Sequence, residues 1–218
     1  MDFTTARFNM VEQQIRPWDV LNFDLLDVLS EIPRERFVQE NQKGFAYADA
    51  ELPLPNGGFM LEPKMTARLI QALDLKANDS VLEIGTGSGY ATAVLAKMAG
   101  KVLTIDSDAA QQNRAKAVLD VLDFSNIAYQ TGDGLVDVKN DSLFNAIYLG
   151  GSVPVLPDNV SELLTDGGRL VAVVGEAPVM KAVIITRKDG QFEEKTLFET
   201  VVPSLKSTAA TKPSSFQF

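Results

Sequence analysis

The sequence of 218 residues contains neither cysteine nor histidine. The absence of cysteine excludes disulfides, a thiolate nucleophile and cysteine metal sites. The absence of histidine excludes a serine–histidine triad, histidine-ligated zinc and the usual general base near neutral pH. Any chemistry must therefore use carboxylates, hydroxyls, lysine, backbone donors or a cofactor, and we expect no metal centre.

The sequence also lacks a long hydrophobic run and an excess of positive charge. No stretch approaches the ~18 uninterrupted apolar residues of a membrane span. Residues 1–16 are amphipathic and lack the apolar core of a signal peptide, so we expect a cytoplasmic protein with no membrane partner. With 20 basic and 29 acidic residues the net charge is −9. This charge disfavours binding to a phosphate backbone, and no nucleic-acid partner is expected.

Strand and helix patterns alternate from residue 81 onward. Apolar runs of strand type lie at 81–84, 101–106, 127–130, 144–150 and 168–175. A turn signal at Asp189-Gly190 lies between two further strand patterns and predicts a β-hairpin. The alternation predicts an α/β fold with a doubly wound, mostly parallel seven-stranded sheet and an antiparallel C-terminal hairpin.

Helix signals dominate the N-terminal part of the chain. Asn22 can cap a helix over FDLLDVLSEI, and Pro33 suits the first turn of a third helix, PRERFVQE. Pro63 likewise suits the start of the helix KMTARLIQALDL, and a short helix is expected at 158–166. The glycine- and proline-rich residues 46–63 are predicted to form a loop with short extended pieces.

We expect one domain over residues 1–218. It would consist of a helical N-terminal extension with a loop at 1–75, an α/β core at 76–203 and a tail at 204–218. The tail is polar until Phe216 and Phe218, which are the aromatic residues that could dock on the core.

A glycine-rich turn is the strongest functional signal. In VLEIGTGSGY, residues 81–90, a strand pattern runs into glycines at 85, 87 and 89, and a helix pattern follows. Glycines allow a ligand to approach the backbone closely, and a helix start offers unpaired N–H groups. The pattern is G-x-G-x-G rather than the G-x-G-x-x-G of dinucleotide sites. A binding site for NAD is therefore the weaker functional alternative. The structural alternative is a tight strand–helix turn that binds no ligand.

Two aspartates follow the next strands. Asp106 ends the strand KVLTID, where a carboxylate can accept hydrogen bonds from ribose hydroxyls; the alternative is a strand-end residue capping the next helix. Asp133 lies between Gly132 and Gly134 and could accept an adenine amino group; the alternative is an ordinary Asp-Gly turn. Glu83, between apolar strand residues, needs buried partners, and we expect the backbone N–H groups of the glycine turn to provide them.

Several segments together resemble one family. LEIGTGSGY at 82–90 looks like motif I of the class I S-adenosylmethionine-dependent methyltransferases. The same class of methyltransferases is consistent with three further segments: VLTID at 102–106, TGDG at 131–134 and DGGRLV at 166–171. The segment YADAELPLPNGG at 47–58 and the helix opening EPKMTARLIQAL are similar to the protein-L-isoaspartate O-methyltransferases.

The resemblance implies a Rossmann-like methyltransferase that binds S-adenosylmethionine. It places the methionine part of the cofactor on the glycine turn, the ribose on Asp106 and the adenine on Asp133. The residues then expected to bind the cofactor are Glu83, Gly85, Thr86, Gly87, Ser88, Gly89, Tyr90, Asp106, Ser107, Gly132, Asp133 and Gly134. The implied reaction is methyl transfer to the carboxylate of an isoaspartyl residue, which begins the repair of damaged protein.

The acceptor loop departs from the family pattern. The last six positions of the family's G-x-T-I-S-Q-P read here as Gly58-Phe59-Met60-Leu61-Glu62-Pro63. Leu61 takes the place of a serine regarded as catalytically important, Phe59 that of a threonine, and Glu62 that of a glutamine. An acceptor other than a carboxylate would need a base, for which Glu62 is the loop candidate.

Two hypotheses follow from this departure. The first is a methyltransferase that acts on a protein, peptide or small-molecule acceptor. The second is a module that binds S-adenosylmethionine or S-adenosylhomocysteine with weak or no isoaspartyl methylation.

Overall fold

The computed structural model describes residues 2–138 and 143–208; the tail residues Phe216 and Phe218 lie outside this range. The strands of the described residues are, in chain order, β1 (Leu52–Pro53), β2 (Phe59–Met60), β3 (Ser80–Ile84), β4 (Lys101–Asp106), β5 (Ile127–Thr131), β6 (Phe144–Val153), β7 (Leu164–Glu176), β8 (Val179–Lys188) and β9 (Gln191–Thr200). The α-helices are α1 (Phe3–Asn9), α2 (Phe23–Glu31), α3 (Pro63–Ala72), α4 (Tyr90–Met98), α5 (Ala109–Val121) and α6 (Asp158–Ser161).

Seven strands form one sheet in the order β5-β4-β3-β6-β7-β8-β9. The strands from β5 to β7 pair in parallel, whereas β8 and β9 are antiparallel. The chain passes from β3 outward to β4 and β5, then returns to the other side of β3 with β6. This reversal places a crevice beyond the carboxyl ends of β3 and β6, where ligands of open α/β sheets bind. The predicted mostly parallel fold with its antiparallel hairpin is confirmed.

Both faces of the sheet are covered, as alternate residues of β6 show. Ala146 and Tyr148 belong to a large buried cluster that also contains residues of the N-terminal part of the chain. Ile147 and Leu149 belong to a second buried cluster on the other face. Because successive side chains of a strand point to opposite faces, a strand buried on both sides is apolar throughout.

Helix α2 begins as predicted at Asn22, whose side-chain oxygen accepts a hydrogen bond from Leu25 N at 3.0 Å. Helix α3 likewise has Pro63 in its first turn. None of the described helices combines the length and apolar character that crossing a membrane requires.

One predicted helix is wrong, and another is shorter than predicted. In place of the helix PRERFVQE the chain forms a single 3-10 turn at Arg34–Arg36, because the buried Arg34 guanidinium donates to backbone carbonyls of more distant residues instead of lying on a helix surface. The helix expected at 158–166 stops at Ser161. Its last residues belong to β7, where Leu164 pairs with Phe144 of β6.

Candidate cofactor and acceptor site

The glycine turn connects β3 to α4 at the crevice between β3 and β6. Gly85 follows the last residue of β3, donates its N–H to Ile105 O of β4 at 2.8 Å and has φ = 95°. A side chain at this position would be strained at that φ, and a Cβ atom would lie 2.7 Å from Leu205 Cδ2. Gly150 of β6 faces the turn, since its Cβ would lie 2.7 Å from Gly85 O.

Asp106, at the end of β4, is held by the turn and by the chain that follows it. Its Oδ2 accepts a hydrogen bond from Gly87 N and its Oδ1 one from Asp108 N, both at 2.9 Å. Burial raises its pKa against the effect of these two N–H donors. Asp108, not Asp106, caps α5 by accepting from Ala110 N and Gln111 N. The alternative role of Asp106 as a helix cap is therefore excluded.

Asp133 follows β5 and binds a segment distant in sequence. Its Oδ1 accepts from Leu135 N at 3.1 Å. Its Oδ2 accepts from Ser207 Oγ at 2.7 Å, Thr208 N at 2.5 Å and Thr208 Oγ1 at 2.9 Å. Burial acts to raise the pKa of Asp133, but these hydrogen bonds outweigh it and the pKa is lowered.

Both aspartates line one cavity, which we call the cofactor cavity. Its volume is about 680 Å³, counting the solvent space at its mouth. Of the residues expected from the sequence, it brings together Gly85, Gly87, Asp106, Ser107, Gly132, Asp133 and Gly134.

A second, smaller cavity adjoins the first, and we call it the hydroxyl chamber. It is lined by Phe59, Met60, Leu61, Thr66, Gly85, Thr86, Gly87, Ser88, Tyr90, Ala91, Tyr148 and Gly150. The expected residues Thr86, Ser88 and Tyr90 therefore face this chamber rather than the cofactor cavity. Gly89 lines neither, because it packs against α5, where a Cβ atom would lie 2.9 Å from Ala115 Cβ.

Glu83 also lines neither cavity, and its expected partners are wrong. It is fully buried, and its Oε2 accepts from the hydroxyls of Thr92 at 2.5 Å and Thr104 at 2.6 Å rather than from backbone N–H groups of the turn. Its Oε1 has no partner among the described residues. Burial raises the pKa of Glu83 to about 8, against the effect of the two hydroxyls. Glu83 thus ties β3 to α4 and β4.

Leu61 lies where the cavities meet, and Glu62 does not. The Leu61 side chain, 6% exposed, lines the cofactor cavity, the hydroxyl chamber and a third cavity beside Trp18. Glu62 lines only the third, where its Oε2 is 3.2 Å from Lys64 Nζ. The structure therefore does not bring Glu62 to the cofactor cavity, where a general base would be needed.

Sequence patterns missed several residues at the site. Residues 203–206 line the cofactor cavity, with Leu205 N donating to Ser152 O at 2.9 Å. Lys206 Nζ donates to Asn56 O, just before the acceptor loop. No local pattern marks residues 203–206, because they extend beyond the last strand and act through distant contacts.

Arg34 was also missed, although it supports the acceptor loop. Its Nη2 donates to Leu61 O at 2.7 Å and its Nε to Ala46 O at 2.8 Å. Its Cζ lies 4.6 Å from the centre of the Tyr90 ring. A fully buried arginine thus connects the loop backbone to the first residue of α4.

The residues of the cofactor cavity fit S-adenosylmethionine. Two carboxylates suit the ribose diol and the adenine amino group, and three glycines leave room for close approach of a ligand. At Gly134 even a Cβ atom would lie 2.8 Å from Ile84 Cγ2. This fold and this site define the class I S-adenosylmethionine-dependent methyltransferases.

The family model for protein-L-isoaspartate(D-aspartate) O-methyltransferase matches residues 7–208. The chain therefore belongs to the protein-L-isoaspartate O-methyltransferase family, and it is an enzyme that uses S-adenosylmethionine. A relative from Syntrophus aciditrophicus is 41% identical over 192 residues, 88% of each chain. One from Brucella anthropi is 36% identical over 198 residues, 90% of this chain and 91% of its own. Both carry the name protein-L-isoaspartate O-methyltransferase.

Solved structures agree on the fold. One of a protein-L-isoaspartate O-methyltransferase superimposes with a TM-score of 0.80 at 21% identity, over 93% of this chain and 65% of its own. Another, from Plasmodium falciparum and assigned to the same family, holds S-adenosylhomocysteine. It superimposes with a TM-score of 0.78 at 21% identity, over 94% of this chain and 99% of its own.

Proposed function

We propose that this enzyme transfers a methyl group to the carboxylate of L-isoaspartyl residues in damaged proteins or peptides. The named activity of its relatives supports the substrate. One observation on the structure supports it further: among the residues that the structure describes, the cofactor cavity has no carboxylate free to act as a base. An acceptor that needs no deprotonation is therefore favoured.

The carboxylates of the cavity are occupied. Each oxygen of Asp106 accepts a hydrogen bond from a backbone N–H group. Asp133 accepts one hydrogen bond on Oδ1 and three on Oδ2. Glu62 is paired with Lys64 and lines another cavity. The sequence contains no histidine. A carboxylate acceptor, ionised at neutral pH, can attack without losing a proton.

The proposed roles of the cavity residues follow from where they lie. Asp106, oriented by Gly87 N–H, accepts from the ribose hydroxyls, and Asp133 accepts from the adenine amino group. The glycines at 85 and 87 leave the backbone open to the methionine part. S-adenosylmethionine supplies a methyl group already activated on a sulfonium, so the protein mainly positions the two reactants and excludes water.

A methyl-transfer assay tests this function. Labelled S-adenosylmethionine is offered with an isoaspartyl peptide and with the same peptide containing normal aspartate. We expect base-labile methyl ester on the isoaspartyl peptide alone. Calorimetry with S-adenosylhomocysteine runs alongside. Binding without methylation of either peptide would contradict the proposal and favour the cofactor-binding module.

A further inference from the structure

Five buried hydroxyl side chains line the hydroxyl chamber, and two of them, Tyr148 and Thr66, come from outside the glycine turn and the helix that follows it. Tyr148 comes from β6 and is 1% exposed; Thr66 comes from α3 and is 3% exposed. The chamber adjoins the cofactor cavity and shares with it Phe59, Leu61, Gly85, Gly87 and Gly150. These hydroxyls therefore lie beside the acceptor loop. In the family pattern that loop itself carries a threonine and a serine hydroxyl.

Tyr148 and Thr66 line the same chamber from two different elements, β6 and α3. Each hydroxyl carries a proton that it can donate. Burial raises the pKa of Tyr148, so its hydroxyl keeps its proton through the neutral range. The two buried hydroxyls thus offer neutral donors, and a hydrogen bond from such a donor to an anion is strong.

A buried positive charge beside the chamber also favours an anion. The Arg34 guanidinium is fully buried, forms no ion pair with the described residues and leaves Nη1 without a partner. Its Cζ lies 4.6 Å from the ring centre of Tyr90, which lines the chamber. An uncompensated buried cation is costly, and a negative group nearby offsets that cost.

We propose that the hydroxyls of Tyr148 and Thr66 bind a carboxylate in the hydroxyl chamber, in place of the hydroxyls that Phe59 and Leu61 lack. Two ligands of this enzyme carry such a group: the amino-acid end of the cofactor and the isoaspartyl acceptor. The acceptor alternative rests on the proposed function, whereas the cofactor alternative does not.

Calorimetry on the intact enzyme separates the two sources. The ligands are S-adenosylhomocysteine and 5′-methylthioadenosine, which lacks the amino-acid end. The variants are Tyr148→Phe and Thr66→Val, each of which removes a hydroxyl and keeps the shape. The matched control is Tyr129→Phe, since Tyr129 has a buried hydroxyl without a partner on β5, outside both cavities. Thermal unfolding shows that each variant is folded.

If the cofactor's carboxylate is bound, Tyr148→Phe weakens S-adenosylhomocysteine binding about tenfold or more and leaves 5′-methylthioadenosine binding unchanged. If the acceptor's carboxylate is bound, both affinities stay the same, and KM for an isoaspartyl peptide rises about tenfold with a smaller change in kcat. Either pattern supports the proposal if Tyr129→Phe changes neither the two affinities nor KM.

Two results would overturn the carboxylate site. One is equal weakening of both nucleosides, which indicates a structural effect; the other is no change in either affinity or in KM. Absence of isoaspartyl methylation in the unmodified enzyme contradicts the proposed function instead. In that case the nucleoside measurements still decide whether the cofactor's carboxylate occupies the chamber.

Discussion

At the residue scale, the side chain at position 61 lies at the junction of three cavities. Leu61 is apolar and buried, and its carbonyl is held by Arg34. We expect Leu61→Ser to raise kcat/KM for an isoaspartyl peptide about tenfold, because a hydroxyl can donate to the acceptor carboxylate. The same change should lower the free energy of unfolding by about 2–4 kcal/mol through lost burial.

Leu61→Ala is the control for this substitution. It removes the same apolar bulk without adding a donor, so it should destabilise the fold similarly and leave kcat/KM unimproved. Steady-state kinetics and urea unfolding measure the two effects. An equal gain in both variants would show that bulk, not the missing hydroxyl, limits the reaction.

Glu83 gives the fold a pH dependence. Its pKa of about 8 in the folded protein lies above the ordinary value of 4.5, so the folded state binds its proton more tightly. The stabilisation is complete below pH 4.5 and is lost as pH rises through 8, by at most about 1.4 kcal/mol per unit. Glu83→Gln should therefore gain stability relative to the unmodified protein between pH 5 and pH 8.

Urea unfolding at several pH values measures this difference. The exposed Glu193 on β9 provides the control, and Glu193→Gln should follow the unmodified protein throughout. Parallel pH curves for Glu83→Gln and the unmodified protein would refute the raised pKa of Glu83.

At the scale of elements, the strand–turn–helix unit depends on Gly85. Its φ is 95°, and a Cβ atom would lie 2.7 Å from Leu205 Cδ2. We expect Gly85→Ala to lower the free energy of unfolding by about 1–3 kcal/mol and to weaken S-adenosylhomocysteine binding. Thermal unfolding and calorimetry measure the two.

The control substitution Gly167→Ala distinguishes the effect of backbone strain at Gly85 from the effect of steric crowding there. It has φ = 77° and no atom within 4 Å of an added Cβ, so Gly167→Ala should show the strain alone and leave binding intact. The double variant Gly85→Ala/Leu205→Ala should recover part of the binding lost in Gly85→Ala. Equal binding losses at positions 85 and 167 would exclude a local effect on the turn.

Secondary structure was predictable where short-range patterns decide it. The strand before the glycine turn, the cap at Asn22 and the hairpin at Asp189-Gly190 each depend on a few neighbouring residues. The helix expected from Pro33 onward failed because the burial of Arg34 overrides local helix preference. The helix expected at 158–166 was cut short because its last residues pair with a strand distant in sequence.

At the scale of the whole molecule, residues 203–208 cross from the edge of the sheet to the cofactor cavity. Ser207 and Thr208 donate three hydrogen bonds to Asp133 Oδ2, the group proposed to accept the adenine amino group. We expect the double variant Ser207→Ala/Thr208→Val to bind S-adenosylhomocysteine about threefold to tenfold more tightly, because fewer hydrogen bonds compete for the carboxylate.

Calorimetry compares this variant with Thr196→Val, an exposed hydroxyl of β9 away from the cavity. The control should bind like the unmodified enzyme. Weaker binding by the double variant would mean that Ser207 and Thr208 hold the cofactor rather than compete with it.

The sequence alone determined the cofactor class, the alternating fold and the positions of Asp106 and Asp133, because each depends on residue types at short, regular spacing. Only the tertiary structure decided which residues of the glycine turn face which cavity. It alone decided that Glu83 is paired with threonine hydroxyls, that Glu62 lies away from the cofactor cavity and that Tyr148 and Thr66 line one chamber. These arrangements bring together residues far apart in the chain, and close packing of the sheet with its helices, rather than local pattern, sets such contacts.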